Sequence, residues 1–365
     1  MTQEEYWYWL CNIQGLYQDG IKKLLKVFYD PAEIYKASEE TLVKSGCADK
    51  KKAHDIVMSK NNLRSMYKLD KLKRDGITFI YYGSELYPEA FLTLSDKPYA
   101  LYLKGSMPDP EYPSVGIVGA RSCSGYGKEM ALKCSQTLAI NGIQIISGMA
   151  IGVDSYASRG ALEVGGKTFV VLGSGIDVIY PQENIELYYQ IILNGGGVMS
   201  EYPLGTAPIG WQFPHRNRLI SALSDKLLII EARKHSGTLT TAAYALAQGK
   251  DIYAVPGRIT DPLSEGCNRL IADGAGVLLD PKDIVDEFYG ESRLRNISDE
   301  SKAAQDNFSD DKYARINKAL DYDTQTIEQI ASKCSLSVEE VSACLTEMEL
   351  IGMCSQVSQG LYARL

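Results

Sequence analysis

The chain is short of the residues that build metal centres and disulfide frameworks. It has three histidines, His54, His215 and His235, far apart and near no cysteine cluster, so the ligand spacing of a zinc site is missing. Its eight cysteines include no CxxC pair. In a chain of 365 residues they read as reduced, buried thiols and not as a disulfide scaffold. No run approaches the ~18 consecutive apolar residues that a membrane-spanning helix needs. The opening "MTQEEYWYWL" has acids where a signal peptide has bases, and no apolar h-region follows. A cytoplasmic protein is the expectation. Positive charge is in deficit too: the formal net charge is -8 and the pI is near 5.2. That counts only mildly against nucleic acid, because binding follows local potential and not net charge.

Two nucleotide-binding signatures are also missing. No G-x-G-x-x-G follows the first clear strand, and the second strand ends in Ser147-Gly148, where NAD enzymes place an acid for the ribose hydroxyls. "GALEVGGKT" imitates a Walker A loop. However, five residues separate Gly160 from Gly166 where four are required, and the segment precedes a strand instead of following one. A dehydrogenase and a P-loop NTPase are both excluded on these grounds.

What is present is an ordinary soluble composition, 45% hydrophobic and 23% charged, long enough for two or three domains and a large core. Residues 1–70 read as short helices punctuated by Gly15, Gly20 and Gly46, a small all-α domain of helix-hairpin-helix or SAM-like type. Such units cradle a phosphate, bind protein or serve as packing. Residues 71–288 change character. "ITFIYY" leads into apolar runs "SVGIVG", "IQIIS", "TFVVLG", "KLLIIE", "DIYAV" and "AGVLL", with helical patterns between most of them. That rhythm predicts an α/β doubly wound parallel sheet, whose ligands lie beyond the carboxyl ends of the strands. Residues 289–311 read as a flexible linker, being polar and acidic. Residues 312–365 carry three helical segments and a "CSQVSQGLYARL" hairpin, the outline of a winged helix, with Ser337 and Glu340 as a capping box.

The strand ends carry the chemistry. After the first clear strand, "GARSCSGYGKE" offers Gly119 and Gly127 for close backbone approach. It also offers Ser122 and Ser124 as hydroxyls, and Arg121 as a bidentate fork for phosphate at a helix N-terminus. Ser147 and Gly148 end the second strand, and Gly173 and Ser174 follow the third. Asp154 reads as a helix-capping acid. Arg233, Lys234, Ser236, Gly237 and Thr238 precede a later helix as another anion nest. In "FPHRNRLISALS", Arg216, Asn217 and Arg218 open a helix that can project both arginines beside this edge; the bland alternative is surface arginines pairing with acids. Several such loops in a row suit a run of phosphates or one extended nucleotide.

"GARSCSGYG", "SGMAIGVD", "GSGIDVIYP", "SEYP", "FPHRNRLISALS", "SGTLTTA" and "GCNRLIADGA" occur in this order. Together they resemble the DNA processing protein A family (DprA/Smf). The resemblance covers about 71–288, and its specificity lies in the order of the motifs. It implies an extended Rossmann-like fold with no catalytic turnover and no cofactor. It also implies a protein that binds and protects single-stranded DNA entering during natural transformation, and helps to load the RecA recombinase. A homodimer through the Rossmann-like domain is implied as well. The matching positions are Gly119, Arg121, Ser124, Gly127, Ser147, Gly148, Arg216, Asn217, Arg218, Ser236, Gly237 and Thr238.

Two alternatives stand beside this. Related nucleotide hydrolases that cut the N-glycosidic bond carry a GGxGTxxE loop; here Ser236 precedes Gly237-Thr238, and Thr241 stands where the catalytic Glu belongs. A nucleotide-sensing or scaffold module would bind a mononucleotide and ignore oligonucleotides. The winged helix departs from a duplex reader. Its third helix contains Glu339, Glu340, Glu347 and Glu349 and no Lys or Arg, so contact with protein or a regulatory role is expected of it in place of duplex binding.

Overall fold

A computed structural model describes residues 1–60, 64–290, 312, 315–316, 319–320, 325–350, 354–358 and 360–364. The chain divides into two compact units, Met1–Phe288 and Tyr289–Leu365. From residue 291 onward, the expected linker over 289–311 lies outside the described residues.

The first unit begins with α1 (Gln3–Cys11), α2 (Gln18–Phe28), α3 (Pro31–Lys36), α4 (Glu39–Lys44), α5 (Lys50–Ser59) and α6 (Arg64–Arg74). Short polar caps set their starts. Thr2 and Glu5 form a capping box, and the side chains of Asp30, Ser38 and Asp49 accept from free N–H groups of their helices. There follow β1 (Ile77–Tyr81), β2 (Ala100–Gly105), β3 (Ser114–Val118), α7 (Gly125–Ile140), β4 (Gln144–Ser147), α8 (Val153–Glu163), β5 (Thr168–Leu172), α9 (Ile185–Leu193) and β6 (Gly197–Ser200). Then come α10 (Gln212–Leu223), β7 (Lys226–Ile229), α11 (Gly237–Ala247), β8 (Asp251–Ala254), α12 (Glu265–Ala272), β9 (Gly276–Val277) and α13 (Pro281–Tyr289).

The strands form one sheet in the order β1-β2-β6-β5-β4-β3-β7-β8-β9. From β6 to β9 every pairing is parallel. β1 and β2 extend one edge with antiparallel pairings, a departure from the all-parallel expectation. β2 and β6 correspond to no run read as a strand from the sequence. The order reverses between β3 and β7, and that reversal is the switch point where doubly wound sheets take ligands. Helix α10 leaves the β6 side, lies against β5, β4 and β3, and delivers the chain to β7.

The strands β3, β4, β5, β6 and β7 are buried along their whole length, as a sheet covered on both faces requires. Successive side chains alternate between two cores. Phe79, Tyr102, Val170, Leu172 and Val198 join one cluster, while Ile80, Leu101, Phe169, Val171 and Met199 join the other.

The first cluster also holds Trp7, Tyr8, Leu10, Ile21, Leu24 and Ile34 from the N-terminal helices. Residues 1–70 therefore share a core with the sheet. Tyr8 meets Phe79 edge-on at 5.1 Å, and Asn12 Nδ2 donates to the Tyr102 hydroxyl at 2.9 Å. The expected boundary at residue 70 falls inside α6.

In the second unit, β10 (Gln325–Thr326) precedes α14 (Ile327–Cys334) and α15 (Val338–Leu350), and β11 (Cys354–Ser358) and β12 (Leu361–Arg364) close the hairpin. The small antiparallel sheet has the order β10-β12-β11. Ile316, Ile330, Val341, Leu345 and Tyr362 are among its core residues. The Ser337–Glu340 capping box forms: Ser337 N donates to Glu340 Oε2 at 3.2 Å, and Glu340 N donates to Ser337 Oγ at 3.3 Å. Of the three helical segments expected in 312–365, the first falls partly outside the described residues, as do the side chains of Glu347 and Glu349.

The shared core yields a test. Leu10 is fully buried, and Leu10→Ala is expected to cost about 2–5 kcal/mol. In a Trp211→Phe background, fluorescence reports Trp7 and Trp9 alone. Its denaturant midpoint is expected to coincide with that of the circular dichroism of the sheet, and Leu10→Ala to move both together.

Candidate functional site

A cavity of about 320 Å³ opens at the switch point, within the size range of small-ligand sites. Three segments build it: the loop after β3 with Gly119, Arg121 and Ser122; the first turns of α10 with Phe213, Arg216 and Asn217; and the turn into α11 with Arg233, Ser236, Gly237 and Thr238. Asp154 and Thr241 complete the wall. Gly152 lets the loop after β4 cross the loop after β3. It has φ 89°, and a side chain there would collide with the carbonyls of Ala120 and Arg121. The chain can thus enter α8 directly against the Arg121 backbone, and Val153 N donates to Ala120 O at 3.2 Å.

Arg216 forms the floor. It is 3% exposed. Nη1 donates to Gly148 O at 2.8 Å and to Val171 O, and Nε donates to Asn217 Oδ1 at 3.1 Å. The two carbonyls belong to the ends of β4 and β5, the edge over which α10 crosses. Among the described residues Arg216 has no salt bridge, and Nη2 has no hydrogen-bond partner. Gly148 makes room for this arrangement: a Cβ there would sit 2.6 Å from both Arg216 Nη2 and Asp154 Oδ2. Burial pulls the guanidinium down to about 10, with Asp154 acting in opposition. Burial likewise raises the Asp154 carboxyl, offset in part by Arg216. Asp154 does not cap α8: it accepts from the backbone N–H groups of Ala150, at 3.5 Å, and Gly119, and the N-cap of α8 is Gly152, with no side-chain bond.

Above this floor stands an exposed cationic rim. Arg121 lies over the Phe213 ring at 5.1 Å, and Arg233 is exposed. Neither has a salt bridge among the described residues. Asn217 Nδ2 reaches Gly237 O at 3.4 Å and ties α10 to α11. Ser236 Oγ is buried in the wall with no partner among the described residues. A buried cation with an uncommitted donor, an orphaned hydroxyl and two free surface guanidinia make a site for an anion.

Several sequence-predicted positions lie elsewhere. Arg218 does not project beside the edge. It is fully buried on the other side of α10, where Nη1 and Nη2 donate to Glu201 at 2.9 and 2.6 Å and Nε lies 2.8 Å from Asp96. Two residues apart on a helix, side chains diverge by about 200°, so Arg216 and Arg218 cannot serve one face. Ser147 donates from full burial to Ile117 O at 2.7 Å, joining two strands. Ser174 is buried and donates to Val178 O at 2.8 Å. Gly173 packs beneath Phe213, with 2.8 Å between its missing Cβ and that ring. Ser124 and Gly127 enclose the carboxylate of Glu231. Lys234 is exposed, 3.6 Å from Glu265. The site is therefore local to the switch point and does not extend along every strand end.

Sequence reasoning passed over the partners of these groups. His215 lies 3.2 Å from Glu201 and 3.5 Å from Asp96. Its hydrogen bonds to Asp96 and Glu201 push it up to about 9. Burial acts to raise the Glu201 carboxyl, but Arg218 and His215 outweigh it and hold it low. An acid in "SEYP", beside apolar strands, was the available signal, since a buried carboxylate needs a cation.

The comparisons with known proteins agree on one family. The family model for DNA recombination-mediator protein A matches residues 78–289, and that for the DprA winged helix domain matches 300–360. Protein Smf of Escherichia coli is 31% identical over 367 residues, spanning 100% of this chain and 96% of its own. DNA processing protein DprA of Streptococcus pneumoniae is 40% identical over 204 residues, 56% of this chain and 72% of its own. The X-ray structure of the S. pneumoniae protein superposes with a TM-score of 0.67 at 30% identity, covering 79% of this chain and 98% of that one. The DNA processing protein A of Helicobacter pylori, whose structure is described for its single-stranded DNA binding mode, superposes with a TM-score of 0.52 at 32% identity. It covers 58% of this chain and 95% of that one.

Two outcomes are expected of the buried acid cluster. Arg218→Ala strips buried Glu201 of its bidentate partner and leaves His215 as the cation beside it, and a loss of about 3 kcal/mol in denaturant unfolding, the lower end for a broken buried pair, is expected. A histidine raised in the folded state stabilises fully below its unfolded pKa, about 6.5, and loses that contribution as pH rises through about 9. The melting-temperature gap between the native protein and His215→Gln is therefore expected to be largest near pH 6 and to close by about pH 10.

Proposed function

The chain belongs to the DNA recombination-mediator protein A (DprA/Smf) family, and from that premise we propose that it binds single-stranded DNA at the switch-point cavity. The observation that carries the proposal is Arg216: a buried guanidinium with no salt bridge and a free Nη2 among the described residues, facing a cavity whose rim holds Arg121 and Arg233. A phosphodiester supplies the missing charge. Ser236 and Asn217 supply further hydrogen bonds to phosphate, sugar or base. The relative from H. pylori, with its described single-stranded DNA binding mode, supports the choice of ligand.

We propose further that binding, and not turnover, is the activity. Thr241 occupies the wall position where related nucleotide hydrolases carry a catalytic glutamate, and it has no acid–base capacity at neutral pH. On this reading the chain shields incoming single strands, hands them to a RecA-type recombinase, and works as a homodimer through the Rossmann-like unit. Dimerisation presents two cavities to one strand and raises the effective affinity. Glu339 and Glu340 at the start of α15 suit contact with protein better than contact with a duplex. A mononucleotide-sensing role is the competing reading, favoured by the small volume of the cavity.

Fluorescence anisotropy with a single strand, the matching duplex and AMP, over a salt series, decides between them. The single strand is expected to bind tightest, with log K falling against log salt by roughly 0.7 per phosphate contacted. Arg216→Met is expected to abolish binding; because it also takes the guanidinium from Asp154 and from the carbonyls of Gly148 and Val171, a thermal melt checks that the variant stays folded. Arg121→Ala is expected to weaken binding and flatten the salt slope. Preference for AMP, or an unaffected Arg216→Met, contradicts the proposal.

A further inference from the structure

The turn from β3 into α7 has the strand–loop–helix form in which nucleotide-binding proteins receive a phosphate at the helix N-terminus. Here that position is filled from within the chain. Glu231, two residues beyond β7, is 1% exposed. Its Oε2 accepts from Ser124 N at 2.9 Å, and Oε1 accepts from Ser124 Oγ. Ser124 is the N-cap of α7, and its hydroxyl in turn accepts from Gly127 N at 3.0 Å. Gly127 has no side chain where one would strike both carboxylate oxygens. Among the described residues no lysine or arginine pairs with Glu231, so the backbone N–H and hydroxyl of the N-cap Ser124 and the positive end of α7 are what balance it.

We propose that Glu231 is a built-in anion that takes the place of a ligand phosphate at the α7 N-terminus and holds the loop 119–124, with Arg121, over the cavity. It is a positioning residue: it acts through the loop and does not line the cavity. The proposal also has a consequence for selectivity. With a carboxylate in the nest, a second anion is repelled from it, and ligand phosphates are confined to Arg121, Arg216 and Arg233. A free mononucleotide cannot bind there in the manner of a dinucleotide cofactor, while a backbone phosphodiester on the arginine side is unaffected. This part rests on the single-stranded DNA reading; the positioning role does not.

The test uses the full chain with Glu231→Ala, Glu231→Gln, Gly127→Ala and the Gly127→Ala/Glu231→Ala pair. Hydrogen exchange of the amides in 119–127 reads the loop, and anisotropy with an oligothymidylate reads binding. In Glu231→Ala, loop exchange is expected to rise and affinity to fall about tenfold, the worth of one charge-assisted hydrogen bond. Sodium acetate is expected to restore both in part, where sodium chloride at the same ionic strength does not. Glu231→Gln, which keeps an acceptor oxygen, is expected to lie between the two.

Gly127→Ala alone is expected to reproduce the loss by expelling the carboxylate, and to add nothing on the Glu231→Ala background. Unchanged loop exchange in Glu231→Ala overturns the proposal. So does a loss that acetate leaves untouched and to which Gly127→Ala adds in full. If Glu231→Ala does not fold, Gly127→Ala and Glu231→Gln carry the same comparison. If the native protein ignores the oligonucleotide, the DNA reading falls while loop exchange still decides the role of Glu231.

Discussion

A buried positive charge without a salt-bridge partner is the constraint around which this site is arranged. Removing a guanidinium from water costs several kcal/mol unless other groups replace its solvation. At Arg216 the replacement is partial. The ends of β4 and β5 contribute two carbonyls, Gly148 stays small enough to admit the side chain, and Asp154 stands near without closing a salt bridge. The residual demand for negative charge points into the cavity. Arg218, two residues on, shows the same helix solving the same problem internally, with Glu201, Asp96 and His215 around it. One arginine stabilises the fold and its neighbour is left for a ligand.

That division explains how a chain of net charge -8 presents a site for a polyanion. Arg121 and Arg233 at the rim are solvated, so their attraction acts at range and is screened by salt. The floor is desolvated, so its interaction is short-ranged and little screened. On the proposed reading the rim gathers the ligand, and the floor holds one phosphate. Acidic groups near the site are not idle surface charge. Glu201 is committed to Arg218, and Glu231 to Ser124 at the N-cap of α7.

Much of this was legible in the sequence. The apolar runs from "SVGIVG" to "AGVLL" marked the parallel strands, and reading the residues just beyond them led to Arg121, Arg216, Arg233 and Ser236. What was not legible depends on direction and distance. The pairing of "HRNR" within four residues conceals that Arg216 and Arg218 leave α10 on opposite sides. Ser147 and Ser174 sit at strand ends as a phosphate-binding serine would, yet the Ser147 hydroxyl joins β4 to β3 and that of Ser174 closes the loop after β5. Ser124 and Glu231 are 107 residues apart in sequence, so no local pattern shows that the nest is filled. A cue was present nonetheless: "KLLIIE" ends a wholly buried strand in an acid, which must find donors. The strands β2 and β6 escaped because one is an antiparallel strand inserted between β1 and β6, outside the strand–helix rhythm, and the other is four residues long behind a glycine run. The N-terminal helices looked independent because their aromatic face, Trp7 and Tyr8, shows no partner until β1 and β2 supply it.

Guanidinium-detected nitrogen NMR of the arginine side chains, followed during titration with a short oligothymidylate, tests the central claim most directly. The account predicts that the Arg216 resonances shift and slow their exchange as Nη2 gains a phosphate, while those of Arg218 stay fixed in their carboxylate pocket. Saturable binding that leaves Arg216 unmoved, or moves both arginines alike, would contradict it.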